Sequence, residues 1–394
     1  MAKLIKEKVN QAISLMQELD IDMWLTYVRE TIENNDPAMH FVAGTNIVWQ
    51  AAFIITKSGK TFAITGKGDH GNIERLEVYD EVIPYTESIK KDLLNVIKEI
   101  DPNKIAINYS LDNVSADGLS HGMYLRLKKF LANTKYIDRL ISADELYSKL
   151  RGRKTIEELR RIQKAVSLTV DLFNQLTKDV KVGFTEKDVS DYMHQKMEDL
   201  NLEASWDYEY DPGVNCGAES LGGHMPPGDT KLKIGDVLHL DFGVKYQGYS
   251  SDLQRIWYVL EEGEAKPPEE VQKAFEVVQL GIQRAAKAIK PGVICYEIDQ
   301  IARDTLKEYG YEEYEHALGH QVGIWAHDGG SILGPRWERY GDRPYQKIEE
   351  NQVYTLEFGI KTSKGYVSQE ENIVVTKDGC KFLTEPQKEI WLIK

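Results

Sequence analysis

Twice in its C-terminal half the chain sets one acidic residue into each strand of an otherwise apolar hairpin. Residues 237–243, Val-Leu-His-Leu-Asp-Phe-Gly, read as a strand ending in Asp241. The turn Lys245-Tyr246-Gln247-Gly248 follows, and a return strand over 249–259 carries Asp252. With the tip between Tyr246 and Gln247, Asp241 and Asp252 are equidistant from it. They are then expected to face each other, with Cβ atoms about 5 Å apart. The pattern recurs: 353–360 contains Glu357, 362–365 supplies a turn, and 370–376 opens with Glu370, again equidistant from the tip. Like charges opposed on a sheet repel. Carboxylates that interrupt apolar runs are buried or half-buried, where an unpaired charge is costly. One such pair reads as a solvated strand face. Two call for a shared explanation, and bound cations supply one.

The chain has 394 residues, more than one typical domain, so two domains are expected. Residues 1–150 alternate helical and strand patterns: a helix up to Asp20, an apolar run over 23–27, and strands over 49–56 and 61–65 joined through Ser58-Gly59. A helix over 93–100 and a strand over 104–108 follow, which predicts a small N-terminal α/β domain. The Lys- and Arg-rich stretch 148–155 is the expected linker. Beyond it come a helix over 155–178, with Ile156, Leu159, Ile162 and Val166 on one face, and a helix over 186–200 with Thr185 and Asp188 placed as an N-cap pair. After about residue 205 strands and glycine-rich turns dominate, broken by helices near 269–289 and 296–309. The class is α/β (α+β), with the larger domain over 151–394. Gly66-Lys67-Gly68-Asp69-His70-Gly71 fits a dinucleotide fingerprint but lacks a convincing βαβ unit, so a glycine-rich turn is predicted there.

Composition excludes other classes. The 63 acidic residues exceed the 49 basic ones for a net charge of -14, a field that repels nucleic acid unless a basic patch intervenes. The basic run at Arg151, Arg153 and Lys154 is short and interleaved with acids. Three scattered cysteines, Cys216, Cys295 and Cys380, build neither a disulfide framework nor a cysteine zinc site, and fit a reducing, cytoplasmic setting. The N-terminus has helical spacing rather than a signal peptide's unbroken apolar run. No segment approaches the roughly 18 consecutive apolar residues of a membrane span, so no membrane partner is expected.

Three of the nine histidines, His316, His320 and His327, fall within twelve positions. The spacing of His316 and His320 fits a helical zinc-protease motif, but Ala317 stands where that motif needs glutamate, and Gly319 and Gly323 oppose a helix. On residues alone these histidines stay open between ligands and core side chains. His239, two residues before Asp241 and so on the same strand face, is open between a hydrogen-bond partner of the site and a core histidine.

The ordered set LHLDFG, SSDLQR, HALGHQVG, TLEFG and EENIVVT resembles the creatinase/prolidase/methionine aminopeptidase superfamily, whose fold is the pita-bread fold. The likeness is strong over 151–394. It is weaker over 1–150, which is similar to the creatinase-like N-terminal domain of prolidases and Xaa-Pro aminopeptidases. The resemblance implies that Asp241, Asp252, His320, Glu357 and Glu370 ligate two divalent metal ions, with Glu370 bridging them. It implies catalytic roles for His224, His327 and Glu357, and substrate contacts for His224, His316 and His327. Four carboxylates and a neutral imidazole carry the four negative charges that two divalent ions balance, which leaves room for a bridging hydroxide. Oxygen-rich ligation suits Mn²⁺ or Co²⁺, and Zn²⁺ is compatible.

The implied activity is hydrolysis of the N-terminal bond of short peptides, as an Xaa-Pro dipeptidase or aminopeptidase, by a homodimer. Two rivals are a metal-independent creatinase-like amidinohydrolase and a non-catalytic peptide-binding module. Each would show lost ligands, and the ligand set is intact here. Two departures stand out. Ser368 occupies the position, two before the bridging glutamate, where the family carries arginine, and Asp328 replaces a usual glutamate. The loop over 334–340 offers Arg336 or Arg339 as a substitute cation, and reads equally as a solvated loop with an aromatic anchor.

Overall fold

The computed structural model describes residues 2–220 and 225–394, which form two compact units, 1–151 and 152–394. Unit one is built on a six-stranded mixed sheet. Its order is Glu81–Tyr85, Thr61–Gly66, Ala51–Thr56, Met23–Val28, Ile105–Ile107, Leu140–Ser142. The three consecutive strands from Met23 to Gly66 are buried along their whole length, as expected for sheets covered on both faces. Helices Lys90–Ile100 and His121–Leu131 close one face with Leu93, Val96, Ile97, Met123, Leu127 and Leu131. The hairpin through Ser58-Gly59 forms as predicted, with Ile55 opposite Thr61 and Gly59 at φ +95°.

The glycine-rich turn predicted at 66–71 is instead a helix, Lys67–Glu74, directly after the strand Thr61–Gly66. That strand pairs in parallel with Glu81–Tyr85, so the strand–helix–strand unit judged missing is present. The acceptor at the start of this helix is internal: the Asp69 carboxylate accepts from the backbone N–H of Val48 and Trp49, both at 3.3 Å. Gly66 is needed because a Cβ there would lie 3.0 Å from that of Trp49. The stretch 148–155 likewise differs from a linker, since the helix Asp144–Gly152 runs through most of it.

Unit two centres on a seven-stranded sheet. Its main path runs Val353–Thr362, Gly365–Thr376, Leu253–Val259, Val237–Phe242, Gly213–Cys216. Helices Glu269–Ala288 and Cys295–Glu308 cover one face, where Val271, Phe275, Val278 and Ile282 join Ile256, Tyr258, Leu356, Phe358 and Ile373 in one core. The helix Ile156–Asp179 buries Ile162, Val166, Leu172, Phe173 and Leu176; Phe173 meets Phe242 and Trp257 at ring separations of 5.8 and 5.9 Å. Ile156, expected on that apolar face, is 88% exposed. Thr155 is the N-cap in a capping box with Glu158, which makes Ile156 the first helical residue, facing outward. Thr185 and Asp188 form the expected box on the helix Glu186–Asp199.

The second hairpin has the predicted register, with Glu357 opposite Glu370 and Thr362 opposite Gly365. The first does not. Asp241 faces Gln254 and Tyr246 faces Tyr249, so the tip is Gln247-Gly248, both at positive φ of 50° and 81°. A two-residue hairpin turn with left-handed geometry at both centres takes Xaa-Gly far better than Tyr-Gln, and this moves the pairing away from direct opposition of Asp241 and Asp252. Asp252 lies two residues nearer the tip than Gln254, diagonal to Asp241.

The ladder also breaks between the two strand segments, at Gly243 and at Ser251 and Asp252. Gly243 is required there: a Cβ would sit 2.1 Å from the carbonyl oxygen of Ser251. Gly319 is under the same constraint, 2.0 Å from the carbonyl oxygen of Thr355. Gly243→Ala and Gly319→Ala are each expected to destabilise unit two by about 1–3 kcal/mol through backbone displacement. Urea denaturation checks this, and a midpoint equal to wild type in both variants would contradict the close approaches.

Candidate metal centre

Three elements deliver the charged groups. The first hairpin brings Asp241 and Asp252, the second brings Glu357 and Glu370, and the short strand Gly319–His320 brings His320 alongside Val353–Thr362. The backbone N–H of His320 donates to Thr355 Oγ1 at 3.1 Å, and that of Glu357 donates to the Leu318 carbonyl at 2.7 Å. Asp252, at the ladder break, is held by the Asn372 side-chain amide, which accepts from its N–H at 3.1 Å and donates to its carbonyl at 2.8 Å. Donor atoms of Asp241, Asp252 and Glu370 lie within 4.8 Å of one another, as do those of His320, Glu357 and Glu370.

The electrostatics of this cluster are one-sided. None of the four carboxylates forms an ion pair with lysine or arginine among the described residues, whereas buried Glu371, Asp299 and Asp328 pair with Arg255, Arg303 and Lys154. Asp241 Oδ1 and Glu370 Oε1 are buried without any hydrogen-bond partner, a costly arrangement unless something absent from the protein itself meets them. The His320 Nδ1 faces the Gln321 carbonyl at 3.4 Å, so the N–H is assigned there and the Nε2 lone pair points inward. That nitrogen is 3.5 Å from Glu357 Oε1 and 3.7 Å from Asp252 Oδ2. Burial, and then His327, hold His320 well below the ordinary imidazole pKa, so a neutral lone pair faces two acids. A set of oxygen and nitrogen acceptors that no lysine or arginine meets among the described residues fits divalent cations.

The other predicted residues divide. His327 is exposed, its ring 4.2 Å from that of His320, and it converges with Asp252 and His320. His316 is not in the cluster: its Nδ1 meets the Ala317 carbonyl at 2.7 Å and its ring packs on Tyr314 at 4.9 Å. His224 lies outside the described residues. His239 is buried and bonds through Nε2 to Gln254 Oε1 at 3.0 Å, and burial lowers its pKa to about 4. Of the loop arginines, Arg336 lies over the Tyr296 ring and Arg339 donates to the Glu315 carbonyl while stacking on Trp337 and Tyr340. Arg343 adds to the lowering of the His320 pKa, after burial and His327.

Sequence reasoning passed over Arg343, Gln254, Asn372 and Asp211. Asp211 is buried and accepts from the N–H of Ser205 at 2.8 Å and of Gly243 at 3.2 Å, which secures the ladder break. Gln254 carried a signal, since it sits two residues after Asp252 and so on the same strand face.

The comparisons agree with this geometry. The profile of metallopeptidase family M24 matches residues 160–377, more than half of the chain, and the chain belongs to that family. It is therefore a metallopeptidase, and its fold is the pita-bread fold expected from the motifs. An Xaa-Pro dipeptidase of Pyrococcus horikoshii is 26% identical over 396 residues, covering 98% of this chain and 99% of the relative. The solved Xaa-Pro dipeptidase from Bacillus anthracis superposes with a TM-score of 0.75 at 25% identity, covering 99% of this chain and 100% of that one. An X-Pro aminopeptidase from Thermotoga maritima gives 0.74 at 22% identity, covering 98% and 99%, a likeness of fold.

Burial raises Asp241 to about 7 and Glu357 to about 8; burial and then the neighbouring carboxylates push Asp252 and Glu370 well above the ordinary range. In metal-free protein these acids hold protons that unfolding releases, so the folded state loses stability as pH rises. The loss begins near pH 4, where unfolded carboxylates titrate, and continues to about 8. The melting temperature of chelator-treated protein is expected to fall by several degrees from about pH 5 to about pH 8 and to recover with Mn²⁺. A chelated protein that grows more stable over this interval would contradict the assignment.

Proposed function

We propose that the chain hydrolyses Xaa-Pro bonds in short peptides, using two divalent ions that Asp241, Asp252, His320, Glu357 and Glu370 would hold. One observation carries this: four carboxylates and an imidazole lone pair converge, and among the described residues no lysine or arginine pairs with them. The relatives' names add the proline preference. Oxygen-rich donors favour Mn²⁺ or Co²⁺, with Zn²⁺ compatible. The catalytic machinery is assigned to unit two. A homodimer is carried over from the resemblance. A reducing compartment such as the cytoplasm is supported by three free cysteines, and no described helix is long and apolar enough to cross a membrane.

When bound, the ions supply Lewis acidity toward a water and the peptide carbonyl. Glu357 Oε1 faces His320 within the same cluster, which places a carboxylate beside the attacking water as a general base. It takes the proton of the attacking water and passes it to the departing amine. Exposed His327, beside His320, donates to the carbonyl oxygen as it gains charge; His224 is assigned the same task. His316 is assigned a substrate contact outside the carboxylate cluster. A prolyl nitrogen has no hydrogen in the substrate, so a site that asks for no donor there accepts it.

Arg343 supports short substrates. Its Nε donates to the Gly330 carbonyl at 2.7 Å, and it pairs with no carboxylate among the described residues. A guanidinium without a carboxylate partner, whose charge is felt at His320, suits the free carboxylate of a dipeptide.

Three measurements test the reading. Asp241→Ala and Glu370→Ala are each expected to abolish Mn²⁺-dependent cleavage of Xaa-Pro dipeptides, and full activity in either refutes it. Wild type is assayed on Xaa-Pro dipeptides and tripeptides, Met-Xaa peptides and creatine, with chelator or Mn²⁺. Arg343→Met is expected to raise the dipeptide KM at least about tenfold, the scale of a lost charge-assisted bond, with little change for longer peptides. An unchanged dipeptide KM removes the carboxylate role.

A further inference from the structure

We propose that Gln254, locked by Ser368 and His239, is the positioning residue for Glu357 and Glu370, and replaces the cation that position 368 lacks. The inference rests on the proposed function of this site. Gln254 is 6% exposed, and its Nε2 donates to Glu357 Oε2 at 3.1 Å and to Glu370 Oε2 at 3.0 Å. Both amide hydrogens are thereby spent on carboxylates from the facing hairpin. Each glutamate keeps its other oxygen for the cavity: Glu370 Oε1 has no partner, and Glu357 Oε1 faces His320.

The orientation of the amide is imposed from behind. Gln254 Oε1 accepts from Ser368 Oγ and from His239 Nε2. The opposite ring nitrogen, His239 Nδ1, faces Asn215 Nδ2 at 3.0 Å, which leaves the His239 N–H on Nε2. With two donors aimed at one end of the amide, the NH₂ end must face the glutamates. Ser368 therefore has a defined use: it is short enough to admit the glutamine and supplies one of the two hydrogens that orient it. Gly359 lies directly opposite Ser368, and a Cβ there would come 2.6 Å from that of Ser368, so the space is closed on that side too. An arginine would bring a positive charge to the two glutamates. The glutamine brings two N–H groups and no charge, so the site retains the full attraction of four carboxylates for cations.

Gln254→Met keeps the length of the side chain and removes both functions of the amide; Ser368→Ala removes one orienting hydrogen and leaves the glutamine. Full-length wild type and both variants are compared by Mn²⁺ calorimetry, thermal melting and steady-state cleavage of an Xaa-Pro dipeptide. For Gln254→Met, Mn²⁺ affinity and kcat are expected to fall by about 10–100-fold, the usual scale for groups that orient ligands, while KM stays within about twofold. Ser368→Ala is expected to move both in the same direction by a smaller factor. Variants with wild-type Mn²⁺ affinity and kcat overturn the inference, as does activity lost only in proportion to folded protein with affinity unchanged. Wild type that takes up no Mn²⁺ overturns the reading of the site itself, an outcome distinct from variants that match a metal-binding wild type.

Discussion

Mutual repulsion among four carboxylates, two buried and two half-buried, is the constraint around which the second unit is organised. Among the described residues no lysine or arginine neutralises them, and burial raises the cost of each charge. Such a cluster survives folding only if its neighbours are fixed strongly enough to resist its dispersal. The two hairpins that bear it meet through a single paired position, Gln254 opposite Glu370. A buried arginine reinforces that junction from behind. Arg255 donates to the carbonyls of Gln254 and Glu370 at 2.8 and 3.0 Å, and to the Glu371 carboxylate at 3.0 Å. The pair is weak grounds for net stability, since desolvation offsets its attraction, but losing one partner would strand a charge in the core. Its value here is registry: it ties two strands together at the point where they carry opposing acids.

The same economy of backbone space appears at each approach to the cluster. Gly243 and Gly319 allow main chains to pass where any side chain would collide. The carboxylate of Asp211 and the amide of Asn372 then occupy the backbone groups that the broken ladder leaves unpaired. Irregular backbone at this depth is tolerated because its polar groups are met by side chains. The irregularity brings Asp252 diagonal to Asp241, so the acids surround a volume without standing in a flat row.

Much of this was legible in the chain. The apolar strands interrupted by acids, the second hairpin's register and both long helices of the Thr155 and Thr185 caps follow from local pattern, because side-chain alternation and capping act over a few residues. The first hairpin misled because the turn was centred one residue early, and one residue at the tip displaces every pairing behind it. The helix at 67–74 was hidden by its glycines, which weaken helical propensity, and it is held by Asp69 reaching the 48–49 backbone. Ile156 was misassigned because periodicity alone does not show where an N-cap turns the first residue outward.

By itself the sequence determined the residue types, their order and their face: which acids interrupt which strands, that His320 lies between the two acid pairs and is flanked by Gly319 and Gly323, and that Ser368 stands two residues before Glu370. Those are properties of spacing along one chain, and spacing is conserved in any conformation. Tertiary structure alone decided the partners. Gln254 reaching two glutamates more than one hundred residues away, Asn372 clasping Asp252, and Arg343 rather than Arg336 or Arg339 being felt at His320 all depend on which strands become neighbours. That choice is made by packing and loop closure over the whole unit, and no local pattern encodes it.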